Sequence, residues 1–100
     1  MIAVKQTGHS DPFTFDVVIR ESGSETHHRV TMSRADYDRL TNGACLPDHC
    51  VEAAFRFLLD REPKEAILSS FDITVIARYF PEFEAKLPQY IVAVPTGEGS

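Results

Sequence analysis

FTFDVVIR, residues 13–20, decides the fold together with the polar segment ESGSE, residues 21–25, and the run THHRVTM, residues 26–32. Apolar and polar side chains alternate in both flanking runs, so every second side chain from Phe13 to Ile19 would share one face of a strand. The short polar segment between them has a central glycine, which is typical of a hairpin connection. We therefore predict an antiparallel β-hairpin whose apolar face must be covered by helices, because a bare hairpin is only marginally stable.

The clearest helix signal covers residues 48–61. Apolar side chains recur there three and four residues apart and would form one stripe on a helix: Val51, Ala54, Phe55, Leu58 and Leu59. Pro63 would end this helix, because proline cannot continue the helical hydrogen bonding. Phe57 lies off the stripe, so it either widens the buried face or is exposed at a contact surface.

Shorter segments on both sides also carry signals. Ser33 can accept a hydrogen bond from a free backbone N–H, which predicts a short helix to about Leu40. Residues 73–80 fit a strand and a helix equally well, and we favour a helix because capping residues precede them and a proline follows. A further short helix is predicted for residues 82–87, and the β-prone residues 90–94 predict a late strand.

Together these elements predict an α+β fold, in which an N-terminal antiparallel β-hairpin, with room for a third strand, packs against three or four short α-helices. We predict a single domain over residues 1–94 and a flexible tail over residues 95–100. The predicted core consists of the apolar residues that these elements turn inward: Phe13, Phe15, Val17, Ile19, Val30, Val51, Phe55, Leu58, Ile76 and Phe80.

Composition indicates an ordinary globular protein. Hydrophobic residues make up 43% and charged residues 25% of the 100 residues, and no apolar run approaches the ~20 residues that a membrane span needs. The N-terminal residues lack the apolar stretch of a signal peptide, and two cysteines are too few for a disulfide scaffold. We therefore expect a cytoplasmic protein that does not associate with membranes.

The distribution of charge argues against a nucleic-acid partner. Ten basic and fifteen acidic residues give a net charge of -5, and the acidic excess is concentrated in residues 62–100. Proteins that bind nucleic acids usually have the opposite sign, because contacts to phosphates need Lys and Arg. A local basic patch within an acidic protein is still compatible with the sequence.

Aromatic and acidic residues cluster in the last third of the chain. Four large aromatic side chains lie between Phe71 and Phe83, which is many for a small domain to bury, although core packing is the alternative interpretation. We predict a partner-binding surface that contains Phe71, Tyr79, Phe83, Glu82 and Glu84. The corresponding function is a non-enzymatic protein-interaction or regulatory domain, with a protein partner that the sequence does not identify.

Cysteine and histidine residues lie close together at one place. Cys45, His49 and Cys50 are of the types that bind zinc, and the start of a helix would favour a Cys50 thiolate. Structural zinc sites usually supply two close pairs of ligands, however, and adjacent residues on a helix rarely form a nucleophile and its base. Phosphate-binding loops and hydrolase motifs are also lacking. We therefore predict no enzymatic activity, no metal and no cofactor.

Residues 29–60 resemble the ribbon-helix-helix regulators, with a strand, a short helix, a glycine turn and a longer helix in succession. In that family the strand pairs with its twin in a dimer, and its outward side chains read the major groove. The resemblance implies DNA contacts from His27, Arg29 and Thr31. A DNA-binding transcription regulator or antitoxin is therefore the alternative function.

A second resemblance covers more of the chain. Residues 13–20, 51–59, 61–65, 70–72 and 78–84 resemble a small bacterial family without an assigned activity. This resemblance implies a stand-alone bacterial protein and supplies no catalytic residue. The free edges of the predicted hairpin invite pairing with another copy of the chain, so we also expect a homodimer.

Overall fold

The structure, a computed structural model, describes residues 1–94. The alternating segments form a β-sheet. Its strands follow one another in space in the order β1 (Ile2–Gly8), β2 (Phe13–Glu21), β3 (Ser24–Met32) and β4 (Ser70–Asp72). The first three strands are antiparallel neighbours, and β4 adds parallel to β3. The expected α+β class is confirmed, and the sheet has four strands rather than two or three.

The predicted hairpin is confirmed by the pairing of β2 with β3. The register runs from Phe13 opposite Met32 to Glu21 opposite Ser24, without interruption. Only Ser22 and Gly23 remain in the turn, and both have positive φ angles, of 56° and 78°. Two central residues with positive φ match the right-handed twist of the strands, which explains why the loop is shorter than the predicted five residues.

The helices are α1 (Arg34–Thr41), α2 (Pro47–Leu59), α3 (Val75–Tyr79) and α4 (Phe83–Ala93), with a 3-10 turn at Lys64–Ala66. Ser33 caps α1 as predicted, since its hydroxyl accepts from the backbone N–H of Asp36 at 3.0 Å. The choice of helix for residues 73–80 is confirmed by α3. None of the helices in residues 1–94 has both the length and the apolar content that crossing a bilayer requires.

The late strand predicted for residues 90–94 is wrong, because α4 continues through them to Ala93. Phe83 and Leu87 are buried at helical spacing, and Tyr90 and Ile91 continue that face as partly buried residues. Packing of this face against α2 outweighs both the strand preference of the sequence and the hydrogen bond that Pro88 removes inside the helix.

The core lies between one face of the sheet and the helices. All predicted core residues are buried except Phe80, which is half-buried. Phe57 is fully buried, so it widens the buried face of α2. On the opposite face of the sheet the side chains of Lys5, His27 and Arg29 are exposed. The tail predicted for residues 95–100 lies outside the described residues.

Candidate functional site

An apolar groove lies between the C-terminal end of α2 and α3, and we call it the α2–α3 groove. It encloses about 210 Å³. Its lining contains Glu62 and nine aliphatic or aromatic residues, namely Leu58, Ala66, Ile67, Leu68, Phe71, Val75, Ile76, Tyr79 and Phe80. Two of these side chains are largely exposed, Leu68 to 46% and Tyr79 to 68%. Two large apolar side chains are thus exposed at the same groove, which makes it a candidate interaction site.

Aromatic contacts join the groove to the core. The ring of Phe71 lies 5.9 Å from the ring of Phe55, and the ring of Phe80 lies 5.9 Å from that of Phe57. Phe55 and Phe57 are both fully buried on α2. Since these separations are usual for favourable aromatic pairs, the floor of the groove is part of the packed interior.

A buried histidine holds the segment that carries Leu68. His28 faces the core from β3, and its Nδ1 lies 2.7 Å from the carbonyl oxygen of Leu68. A carbonyl can only accept, so Nδ1 carries the proton and donates it. Nε2 is then free to accept from the hydroxyl of Thr26 at 2.8 Å. The Nδ1 contact thus fixes one wall of the groove to the sheet, while the Nε2 contact to Thr26, on the same strand, orients the ring.

Asp72, at the junction of β4 and α3, fixes the part of the groove that α3 contributes. Its carboxylate accepts hydrogen bonds from the hydroxyl of Thr31 at 2.6 Å, and from the hydroxyl and backbone N–H of Thr74 at 2.7 and 3.1 Å. Burial opposes ionisation of Asp72, but these three donors outweigh burial and hold the pKa of Asp72 below its usual value. The beginning of α3 is therefore tied to the centre of the sheet.

Glu62 is the charged member of the groove. Its side chain is half-buried, and burial raises the pKa of its carboxyl above the usual value. Neighbouring carboxylates have partners, since Glu65 pairs with Lys64 at 2.8 Å and Glu82 pairs with Arg61 at 3.0 Å. Within residues 1–94, Glu62 forms no ion pair.

The structure divides the predicted partner-binding residues into two groups. Phe71 and Tyr79 both line the α2–α3 groove. Phe83 is only 1% exposed, and its ring packs 5.1 Å from that of Phe57, so its place in an exposed aromatic surface was predicted wrongly. Glu82 and Glu84 are exposed near the start of α4, where arginines neutralise them.

Those arginines come from other helical segments. Arg61, just after α2, pairs with Glu82, and Arg39 of α1 pairs with Glu84. The two glutamates of the predicted partner-binding surface are therefore already paired with arginines, and neither of them lines the α2–α3 groove. The two carboxylates connect helices, whereas the exposed aromatic surface lies in the groove.

The residues of the DNA-binding alternative lie on the outer face of β3. His27 and Arg29 are exposed there, and they pair with Glu25 at 2.8 Å and Asp16 at 3.4 Å. The hydroxyl of Thr31 instead donates to Asp72. β2 pairs along one edge of β3, and β4 occupies the other edge at residues 29–31. A twin strand therefore cannot pair there as it does in a ribbon-helix-helix dimer.

The cysteines lie near the start of α2. Cys50 is fully buried with its Sγ 3.9 Å from the sulfur of Met32, and burial raises the pKa of its thiol to about 12. Cys45 is half-buried, and burial also raises the pKa of its thiol. Neither thiol is activated at neutral pH. In the part of the chain that the structure describes, no group of three His, Cys, Asp or Glu side chains could hold a metal ion.

Leu68 and Glu62 are among the groove residues that sequence reasoning missed. Leu68 lies in a connection without regular structure, and Glu62 follows a helix end where an exposed charge is usual. A usable signal existed for Leu68, because a large apolar residue beside Ser69-Ser70 is out of place in a solvated loop. The sequence gave no comparable signal for Glu62, because the groove beside it forms only when several short segments between Leu58 and Phe80 pack together.

No family model, curated protein or solved structure matches this chain. The function must therefore be argued from the groove and from the charges around it.

Proposed function

We propose that this chain is a non-enzymatic protein-interaction domain, and that the α2–α3 groove receives an apolar side chain from a protein partner. The observation that carries the proposal is the joint exposure of Leu68 and Tyr79 around a floor that belongs to the core. Burying such surface is favourable by roughly 25 cal/mol per Å² of apolar area, and aromatic residues in pockets contribute most to interfaces.

The size of the groove supports a side chain rather than a free small molecule as its occupant. Sites for small molecules usually have volumes of about 300–1,000 Å³, whereas this groove encloses about 210 Å³. Its lining also offers only one carboxylate, Glu62, and one phenol, Tyr79, where a small-molecule site usually has several convergent polar groups. As part of the proposal we place the protein in the cytoplasm, which the two free cysteines support.

A selection from random peptides tests this function. Twelve-residue peptides displayed on phage are selected on the purified chain, and the tightest are measured by fluorescence anisotropy. We expect Tyr79→Ala and Leu68→Ala each to weaken binding by about tenfold, because interface anchors typically contribute 1–2 kcal/mol or more. Failure to select any peptide contradicts the proposal, as does unchanged binding by both variants.

Val92 provides the matched control. It is 86% exposed on α4, outside the groove, so Val92→Ala also removes an exposed apolar side chain. We expect this variant to bind the selected peptides as the unmodified chain does. Circular dichroism should show the same fold for all three variants. Phe83→Ala is unsuitable as a binding variant because it would remove a buried ring.

DNA binding through Arg29 is the rival function. The exposure of His27 and Arg29 on one face of the sheet supports it, while their pairing with Glu25 and Asp16 reduces the available positive charge. A gel-shift assay with fragmented genomic DNA at low salt distinguishes the two. A complex that disappears in Arg29→Ala and weakens steeply with salt would favour the rival.

A further inference from the structure

Glu62 lies in the apolar α2–α3 groove, and no described residue forms an ion pair with it. Glu62 is half-buried in the α2–α3 groove, and among the described residues it has neither an ion pair nor a side-chain hydrogen bond. The cations that precede and follow it in the sequence are engaged elsewhere. Arg61 pairs with Glu82 and stacks on Phe57 at 3.6 Å, and Lys64, itself buried, pairs with Glu65.

The environment of Glu62 makes an added cation favourable. A carboxylate that is partly removed from water is attracted to a positive charge more strongly than one in bulk solvent, because the effective dielectric constant is lower. An apolar ligand alone would bury Glu62 further without compensating its charge, which is costly. A negatively charged ligand would be repelled, both by Glu62 and by a chain with a net charge of -5.

We propose that the partner segment bound in the α2–α3 groove presents a lysine or arginine beside its apolar anchor, and that this cation pairs with Glu62. The inference rests on the proposed function and specifies the chemistry of the partner. The apolar side chain contacts Leu68 and Tyr79, and the basic group reaches the carboxylate in the same groove. The partner is thus a basic, amphipathic protein segment.

The experiment uses the peptides selected on the full chain. We expect them to combine a large apolar residue with at least one nearby Lys or Arg. Glu62→Gln should weaken binding of such a peptide by about three- to tenfold, a range between those of exposed and buried charge pairs. The same substitution should have little effect on a peptide whose basic residue is replaced by norleucine, so the two changes should be strongly non-additive. Glu62→Lys should reverse the preference and favour an acidic version of the peptide.

Glu21→Gln is the matched control. Glu21 is exposed at the hairpin turn, away from the groove, and the substitution changes the net charge of the chain by the same amount. We expect less than a twofold effect on binding. Thermal unfolding of Glu62→Gln should confirm that the variant is folded.

The outcomes separate this inference from the proposed function. Binding that depends on Tyr79 but is unchanged in Glu62→Gln, or selected peptides without basic residues, would overturn the cation inference alone. Binding that is unaffected by Tyr79→Ala would overturn the proposed function. An equal loss of affinity in Glu62→Gln and Glu21→Gln would show that only the overall charge matters, and it would also refute the specific pair.

Discussion

Replacing Asp72 tests how the groove is attached to the sheet. The Asp72 carboxylate accepts three hydrogen bonds, one from Thr31 of β3 and two from Thr74 before α3. Asp72→Ala removes all three acceptor contacts and leaves a backbone N–H and two hydroxyls to find other partners. We expect β4 and α3 to loosen from the sheet and the stability of the domain to fall.

The size of the effect follows from the number and exposure of these bonds. A hydrogen bond to a charged group contributes about 1.5–3 kcal/mol when buried. Asp72 is only half-buried, and the freed hydroxyls can rotate toward water, so we expect about 2 kcal/mol in total for Asp72→Ala. With a urea m-value of about 1–3 kcal/mol/M for a small domain, the midpoint of unfolding should fall by about 1 M.

Asp72→Asn separates charge from hydrogen bonding. The amide oxygen can still accept from Thr74, and the amide nitrogen can donate to the Thr31 hydroxyl if that hydroxyl reverses its role. Only the charge is then lost, and we expect the free energy of unfolding to fall by about 1 kcal/mol at neutral pH. Loss of function should be correspondingly smaller than in Asp72→Ala, because the wall of the groove remains attached.

The pH dependence gives an independent check. The folded pKa of Asp72 lies below its unfolded value of 3.8, so its ionised form stabilises the fold above that pH. This contribution is lost as the pH falls through the folded pKa. The difference in stability between the unmodified chain and Asp72→Asn should therefore shrink on acidification below about pH 4. Urea unfolding followed by circular dichroism between pH 7 and pH 2.5 measures it.

Asp16 supplies the control for this series. Its carboxylate is exposed and pairs with Arg29 at 3.4 Å, and exposed pairs contribute about 0–1 kcal/mol. Asp16→Asn should therefore shift the midpoint little. Our reasoning about Asp72 is refuted if Asp72→Ala unfolds at the same urea concentration as the unmodified chain. It is also refuted if the stability difference from Asp72→Asn stays constant with pH.

Two further predictions concern buried side chains on α2. Phe57→Ala should lower the free energy of unfolding by about 3–5 kcal/mol. Phe57→Leu keeps most of the apolar volume and should lower it clearly less. Equal losses of stability in urea unfolding would contradict the role of the Phe57 ring contacts. Iodoacetamide at pH 8 should modify Cys45 before Cys50, because Cys50 is fully buried and burial raises the pKa of its thiol to about 12. Equal rates of modification of the two cysteines, measured by mass spectrometry, would contradict this order.

Regular patterns in the sequence predict the local elements well. The alternation in residues 13–20 and 26–32 defines β2 and β3, and the apolar stripe of residues 48–61 defines α2. Both patterns arise because one face of each element is buried, so the spacing of apolar residues in the sequence shows the element directly. β1 was missed although it alternates in the same way, because Gln6 faces inward and weakens its apolar pattern.

Features that depend on distant contacts are harder to predict. β4 has only three residues, and it forms a strand because it pairs with the edge of β3, which lies more than 35 residues earlier in the sequence. In α4, residues 90–94 have strand-forming composition, yet Tyr90 and Ile91 continue the helical face of Phe83 and Leu87 that packs against α2. In both segments, tertiary packing outweighs the local preference.

The acidic surface shows why a count of charges does not locate a binding site. Residues 62–100 carry an excess of acid, and Glu82 and Glu84 are its most prominent pair in the sequence. Both are neutralised by arginines from segments that only the fold brings near. Among the described residues that follow Arg61, Glu62 is the carboxylate with neither an ion pair nor a side-chain hydrogen bond, and it lies beside the exposed apolar side chains of the groove. Pairing across the fold, rather than composition, thus determines which negative charge is available to a basic partner.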